Sequence, residues 1–191
     1  MGTIRSFVAI PLEAEIVSRI EKIYKELKML PADVKWVQPK SIHLTLKFLG
    51  SIEEEAIEGI AQAIQQGMKG FAPWTVAVNN VGAFPSLRNP RVVWIGIEDK
   101  GGQLITLQNR IEQAMSKLGF EPEKRKFSPH LTLGRVRSPR GKKELIQYLI
   151  DERERTFGDL KIDRVILFKS ELRPSGAVYT ALREFNLHQP W

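Results

Sequence analysis

One short stretch able to do chemistry occurs twice in this chain: His43-Leu44-Thr45-Leu46 and His130-Leu131-Thr132-Leu133. The chain holds only three histidines, and two of them open these identical tetrapeptides. In an extended strand side chains alternate between faces, so His43 and Thr45 share one face and Leu44 and Leu46 the other. The same holds for His130 and Thr132 over Leu131 and Leu133. Each copy offers an imidazole and a hydroxyl side by side, anchored from behind by two leucines. A lone His-x-Thr is an ordinary strand pair. Two identical copies holding two of the three histidines point to one shared site.

Two imidazoles facing one another can act as general base and general acid in a single turnover, because the ordinary histidine pKa lies near neutrality. One takes a proton from water; the other protonates a departing oxygen. Hydroxyls without an adjacent base are poor nucleophiles but good donors to an anion, so Thr45 and Thr132 suit the non-bridging oxygens of a phosphodiester. This arrangement calls for no metal. A zinc site would want a third protein ligand, and the sequence has no HExxH or His-Cys cluster; His188 is a candidate only by default. No GxSxG elbow, Walker loop or GxGxxG occurs, so serine hydrolase, nucleoside triphosphate and dinucleotide chemistry are not indicated. No cofactor is expected.

The elements that must position these residues follow from periodicity. Residues 5–10 read as a strand and 13–29 as a helix, its stripe Ile16, Ile20, Ile23, Leu27 and Leu30, with Pro31 ending it. A short extended piece, 35–37, leads to the first motif strand, 42–49, which Gly50 closes. Ser51 and Glu54 form a capping box for a second helix with Ile57, Ile60, Ala61, Ile64 and Met68 buried. A strand follows at 73–83. The order then repeats: a strand at 91–98, a helix opened by Gly101-Gly102 and stopped by Gly119, the second motif strand at 127–136, a helix at 141–153, and strands at 160–171 and 177–186. The sequence predicts one bilobal domain over 1–191, with halves of about 1–85 and 90–191. Residues 84–90 are expected to link the halves, or to form a lip of the cleft. Duplicated lobes related by a pseudo-twofold axis would bring both His-Thr faces to one central cleft.

The formal charge of +7 with a pI near 9.7 favours an anionic partner such as nucleic acid. Basic residues gather around the second motif, where eight Lys and Arg between 121 and 143 face only Glu121 and Glu123. A solvated face is the commoner meaning of such a run. Cysteine is absent, which excludes disulfides and thiolate nucleophiles. No apolar run is long enough to span a bilayer, and no secretory signal precedes the first strand. The start MGTIRS fits the loose N-myristoylation pattern, but a core strand begins almost at once. A cytoplasmic protein with no membrane association and no obligate protein partner is expected.

The paired motifs resemble those of the 2H phosphoesterases. RSFVAIPL, KWVQPKSIHLTLKFLG, FPSLRNPRVVWIGIE, KFSPHLTLGRV and KSELRPSGAVYTALREFNL together resemble the RNA 2′,3′-cyclic phosphodiesterase branch, historically called 2′-5′ RNA ligase. The resemblance covers almost the whole chain. It implies an α+β fold of two lobes, each an antiparallel sheet flanked by helices, enclosing the cleft. It implies metal-independent opening of an RNA 2′,3′-cyclic phosphate, tRNA fragments among the expected substrates, to a 2′-phosphomonoester. By the same resemblance His43 is the proton donor to the departing 3′ oxygen, His130 the proton acceptor from water, and Thr45 and Thr132 grip the phosphate. The symmetry of the sequence itself does not assign acid and base. Phe48 resembles the aromatic on which the terminal base stacks, against a core reading. Arg135 matches a basic position that contacts phosphate or base, against a plain surface charge. Tyr179 lies in the similar C-terminal segment and is left out of the site.

Three further readings stay open. Attack by a 5′-hydroxyl instead of water would join RNA ends through a 2′-5′ linkage with the same four residues. Small cyclic phosphates, such as those derived from ADP-ribose, are alternative substrates. A non-catalytic RNA-binding module using the basic rim is a reading of another class.

Overall fold

The computed structural model describes residues 2–173 and 176–188. In chain order the elements are β1 (Thr3–Ile10), α1 (Ala14–Met29), β2 (Val34–Trp36), β3 (Leu44–Glu53), α2 (Ile57–Met68), β4 (Trp74–Ser86), β5 (Asn89–Glu98), α3 (Gln103–Lys117), β6 (His130–Val136), α4 (Lys142–Asp151), β7 (Thr156–Ile162), β8 (Arg164–Arg173) and β9 (Gly176–Asn186). The strands form an antiparallel sheet in the order β7-β4-β5-β6-β3-β1-β8-β9, with β2 also paired to β6. The architecture is α+β, with a pseudo-twofold axis between β6 and β3. None of the described helices is long and apolar enough to cross a membrane.

The helix stripes explain the layering. Ile16, Ile20, Ile23 and Leu27 of α1 are buried at three- and four-residue steps, as are Leu104, Leu107, Ile111 and Met115 of α3. These apolar faces close on the leucine face of the sheet in one core that includes Leu44, Leu46, Leu131 and Leu133. The opposite face of the motif strands carries His43, Thr45, His130 and Thr132, all only partly buried.

The halves of the sequence and the lobes of the structure differ. On one side of the axis stand β3, β1, β8 and β9, with α3 against β3 and α2 against β9; on the other stand β6, β5, β4 and β7, with α1 against β7 and α4 against β4. Thus β4, from the first half, completes the second lobe, and β8, from the second half, completes the first. Helices α1 and α3 also cross over. Residues 84–90 therefore do not link lobes: Pro85 pairs with Pro90 and Ser86 with Asn89 across a two-residue turn at Leu87-Arg88. An Asn89 N–H bond to Ser86 Oγ, 3.3 Å, supports that turn.

Three further expectations need correction. Gly50 does not end the first motif strand, and Ser51 does not cap α2; β3 continues to Glu53, Ser51 to Glu53 pairing with Arg5 to Thr3. The ladder to β1 satisfies the Ser51–Glu53 backbone and buries Ile52, and α2 starts at Ile57, after a 3₁₀ turn, without a side-chain cap. The strand expected at 160–171 is two strands, β7 and β8, broken at Asp163, whose carbonyl accepts the Leu187 N–H at 2.7 Å. A bulge opposite Val78 and Asn79 disturbs the alternation of β7 and hid it from a period-2 reading. The second motif strand starts at His130, directly after Pro129, not at 127.

Candidate functional site

The two motif strands meet at one rung, Leu44 paired antiparallel with Leu131. Both leucines are fully buried. Paired residues point to the same face of a sheet and their neighbours to the other. The rung therefore carries His43 and Thr45 on one side of the axis, and His130 and Thr132 on the other, out of the core and toward one another's lobe. The four motif residues are brought together by a single backbone pairing.

Each imidazole is held in the same way. His43 Nδ1 lies 2.9 Å from the carbonyl oxygen of Ser41, and His130 Nδ1 lies 2.7 Å from that of Ser128. A nitrogen bonded to a carbonyl must carry the proton, so the neutral rings have an unprotonated Nε2 free to accept one. The local chain explains the geometry: a 3₁₀ turn at Pro39–Ser41 precedes the first histidine, and Ser128-Pro129 precedes the second. In both cases an extended step places the carbonyl two residues back beside the ring. Burial pushes the pKa of both histidines below the ordinary value, with the Nδ1 bonds opposing; the Arg135 charge lowers His130 further.

The surroundings differ. His43 is stacked on Phe7, with ring centroids 4.6 Å apart and planes 24° from parallel, and meets Tyr179 edge-on at 5.1 Å. Phe168 lies against both rings, its centroid 5.2 Å from Phe7 and 6.2 Å from His43. Among the described residues His130 has one aromatic neighbour of this kind, Phe84, edge-on at 5.0 Å. The Tyr179 hydroxyl is raised by burial, while the charges of Arg5 and Arg135 pull it down. Arg135 thus acts on both His130 and the tyrosine that touches His43, which ties the two lobes to one cleft.

Phe48 and Arg135 each follow their histidine by five residues, a spacing that strict alternation would send to the leucine face. A bulge in each strand reverses this. Val8 pairs with Lys47 and Ala9 with Thr45, leaving Leu46 as the extra residue; Val93 pairs with Gly134 and Trp94 with Thr132, leaving Leu133. Phe48 emerges 62% exposed, with its ring 6.2 Å from Phe7, which removes the core reading. Arg135 is exposed at the equivalent place. Lys47 turns inward instead, its Nζ 2.5 Å from Glu112 Oε1 and donating to the Glu121 carbonyl at 2.6 Å. Gln108 Nε2 donates to Glu112 Oε2 and to the carbonyl of Leu46, the bulged residue, both at 3.3 Å. In the other strand the position of Lys47 is taken by Gly134. A Cβ there would lie 2.6 Å from Trp36 and 2.7 Å from Val34, so glycine is what lets β2 lie against β6.

Sequence reasoning passed over Phe7 and Phe168, which read as strand core, placed Phe84 only in a link or lip of the cleft, and left out Tyr179. Only the parity of β1 relative to the bulge would have exposed Phe7 as a neighbour of His43. His188 is exposed after β9. Among the described residues no three of His, Cys, Asp and Glu converge as a metal site requires.

Comparison with known proteins follows this geometry. The LigT like Phosphoesterase family matches the chain twice, over residues 10–94 and 95–179. The chain belongs to this family. The repeat boundary falls in β5, so each matched unit contains one His-x-Thr strand. An RNA 2′,3′-cyclic phosphodiesterase of Methanothermobacter thermautotrophicus is 34% identical over 96% of this chain and 99% of that protein. Another of the same name from Archaeoglobus fulgidus is 36% identical over 95% and 99%. Among solved structures, E. coli LigT complexed with 3′-AMP superposes with a TM-score of 0.77 at 26% identity, covering 98% of this chain and 100% of that one. TT0787 of Thermus thermophilus gives 0.79 at 26% identity, covering 96% and 97%. This LigT-like phosphoesterase therefore carries the family unit twice and shares the fold of these solved structures.

Proposed function

We propose that this phosphoesterase opens the 2′,3′-cyclic phosphate at an RNA end to a 2′-phosphomonoester by two-histidine acid–base catalysis without a metal ion. The observation that carries the reading is the single Leu44–Leu131 rung, from which two His-Thr pairs with matching Nδ1 bonds project into one cleft. The relatives named RNA 2′,3′-cyclic phosphodiesterase support the substrate class.

In this mechanism Nε2 of His130 takes a proton from water as it attacks phosphorus. Nε2 of His43, protonated, delivers a proton to the departing 3′ oxygen. Thr45 and Thr132 donate to the non-bridging oxygens, where charge builds in the transition state. Both free histidines favour the neutral form, so the acid needs a source of protonation. The bound phosphodiester supplies it, because an anion beside a partly buried imidazole favours the imidazolium. Phe48 offers an exposed ring for the terminal base, and Arg135 adds positive charge at the same mouth. Fragments of tRNA ending in a cyclic phosphate are suitable substrates.

The test is an oligonucleotide ending in 2′,3′-cyclic phosphate, incubated with the protein in excess chelator, with the product end identified. A 2′-phosphate formed at an undiminished rate is expected. A 3′-phosphate, or activity abolished by chelator and restored by one divalent ion, would overturn the proposal.

A further inference from the structure

The two motif strands share the Leu44–Leu131 rung, and past it each has an edge turned toward the other lobe. On β6 that edge is filled by β2, where Lys35, eight residues before His43, pairs with Arg135. On β3 the equivalent edge runs past Phe48, and the residue eight before His130 is Pro122, between Glu121 and Glu123. Proline has no N–H to give a ladder, and the segment between α3 and β6 forms no strand. Two enclosed side chains hold it instead. Lys47 Nζ donates to the Glu121 carbonyl at 2.6 Å, and Glu112 Oε1 accepts the Glu123 N–H at 3.0 Å. The segment is thus fastened beside Lys47 and Phe48, as β2 is fastened beside Arg135 in the other lobe.

From that anchor the chain returns to His130, and its first three residues are Lys124-Arg125-Lys126. All three are exposed, and among the described residues none forms an ion pair. The equivalent positions after β2, Val37-Gln38-Pro39, carry no charge. A charge run on the outside of a helix is ordinarily a solvated face. This one borders the cleft, beside an exposed aromatic ring, on a loop tied to a buried ion pair. Single-stranded nucleic acid is held by that combination, a ring for a base and cations along the backbone. Under the proposed function, on which this inference rests, the terminal base lies on Phe48 and the cyclic phosphate between the histidines. The 5′ carbon of that ribose is across the ring from O2′ and O3′, so it faces the mouth where the loop lies. We infer that Lys124, Arg125 and Lys126 hold the backbone phosphates that lead to the terminal nucleotide. The preferred substrate is then a single-stranded RNA end several nucleotides long, and not a small cyclic phosphate.

The test is a series of oligoadenylates ending in 2′,3′-cyclic phosphate, from a single nucleotide to about six, with kcat/KM measured at low salt. In the wild-type protein kcat/KM should rise about tenfold along the series. Lys124→Gln, Arg125→Gln and Lys126→Gln together should abolish the rise, while the shortest substrate turned over stays within about twofold of wild type. On the longest substrate, the slope of log kcat/KM against log salt should become shallower by about two, the worth of three single-strand phosphate contacts. Lys22→Gln, Lys25→Gln and Lys28→Gln remove the same charge from exposed positions of α1, on the far side of the sheet from the cleft, and should keep the rise. No rise in the wild type would overturn the inference while leaving the proposed function standing. Equal loss at every length in the loop variant would give the loop to the terminal nucleotide alone, and the same loss in the α1 variant would leave only net charge; either overturns it. If the wild type opens none of the series, the proposed function falls, and this inference with it.

Discussion

The two histidines stand on equivalent backbone in unequal company. Each follows a serine by two residues, each donates Nδ1–H to that serine's carbonyl, and each flanks the same rung. Yet His43 is set in an aromatic stack, whereas His130 borders a cavity and lies under the field of Arg135. Duplication placed the pair; later neighbours made them different. Physically, the stack shields His43 from water, so the charge of a bound phosphate acts on it through a lower effective dielectric. That favours His43 as the group that becomes cationic with substrate bound. His130, with a fixed cation nearby and room beside it, suits a base that must meet an incoming nucleophile.

The strongest way to break the comparison is to remove one imidazole at a time. His43→Ala and His130→Ala should each slow turnover by roughly two to four orders of magnitude. The double variant should be little worse than the poorer single, because the two groups act on one transition state. Near wild-type turnover in either single variant would reduce the symmetry to a structural relic.

An aryl diester with a leaving group of low pKa sharpens the assignment of roles, since such a group departs without protonation. His43→Ala should recover much of its deficit on this substrate, and His130→Ala should remain impaired because water must still lose a proton. The reverse pattern would exchange the roles, and equal impairment would mean that both histidines chiefly bind phosphate. Wild-type turnover of the aryl substrate is the control.

The motif was legible because period-2 alternation and repetition are local signals. His43, Thr45, His130 and Thr132 needed only strand parity, and the helix stripes only their 3.6 period. The lobe exchange was not legible, since strand order depends on which edges find partners, and β4 and β8 read alike as strands in either lobe. The bulges at Leu46 and Leu133 were also hidden, because one extra residue leaves no mark in composition. Strict parity would send Lys47 to the cleft, and it left Phe48 undecided between core and cleft. The missed Tyr179 and Phe7 share that cause: their approach to His43 depends on the register of β9 on β8 and of β1 on β3.

Lys47 and Gly134 occupy the same place in the two motif strands, and their difference can be tested through stability. The Lys47–Glu112 pair is almost fully enclosed, at 6% and 15% side-chain exposure. Removing one partner of a buried pair leaves the other charge uncompensated, so Lys47→Met should cost about 3 kcal/mol by urea unfolding. Replacing both, Lys47→Met with Glu112→Met, should recover much of that loss. The single variant should also raise KM more than it lowers kcat, since the pair steadies the bulge that presents Phe48. An unchanged urea midpoint would show that the bulge stands without its polar support.

The smallest effect concerns the charge that separates the two imidazoles. Arg135 lowers the pKa of His130, and no such contribution acts on His43. Removing the charge in Arg135→Met should raise the His130 pKa toward its ordinary value. In the profile of kcat/KM against pH, which reports the free enzyme, one limb should therefore move to higher pH while the other stays. Arg135→Lys retains a cation and should hold both limbs close to wild type. Tyr179→Phe, which alters the His43 side without changing charge, should leave the His130 limb where it was. Both variants should bind the anionic substrate, but Arg135→Met less well, with a KM increase that shrinks at high salt. Two limbs moving together in Arg135→Met would mean that the imidazoles titrate as one coupled pair, and the electrostatic distinction between the two sides would then fail.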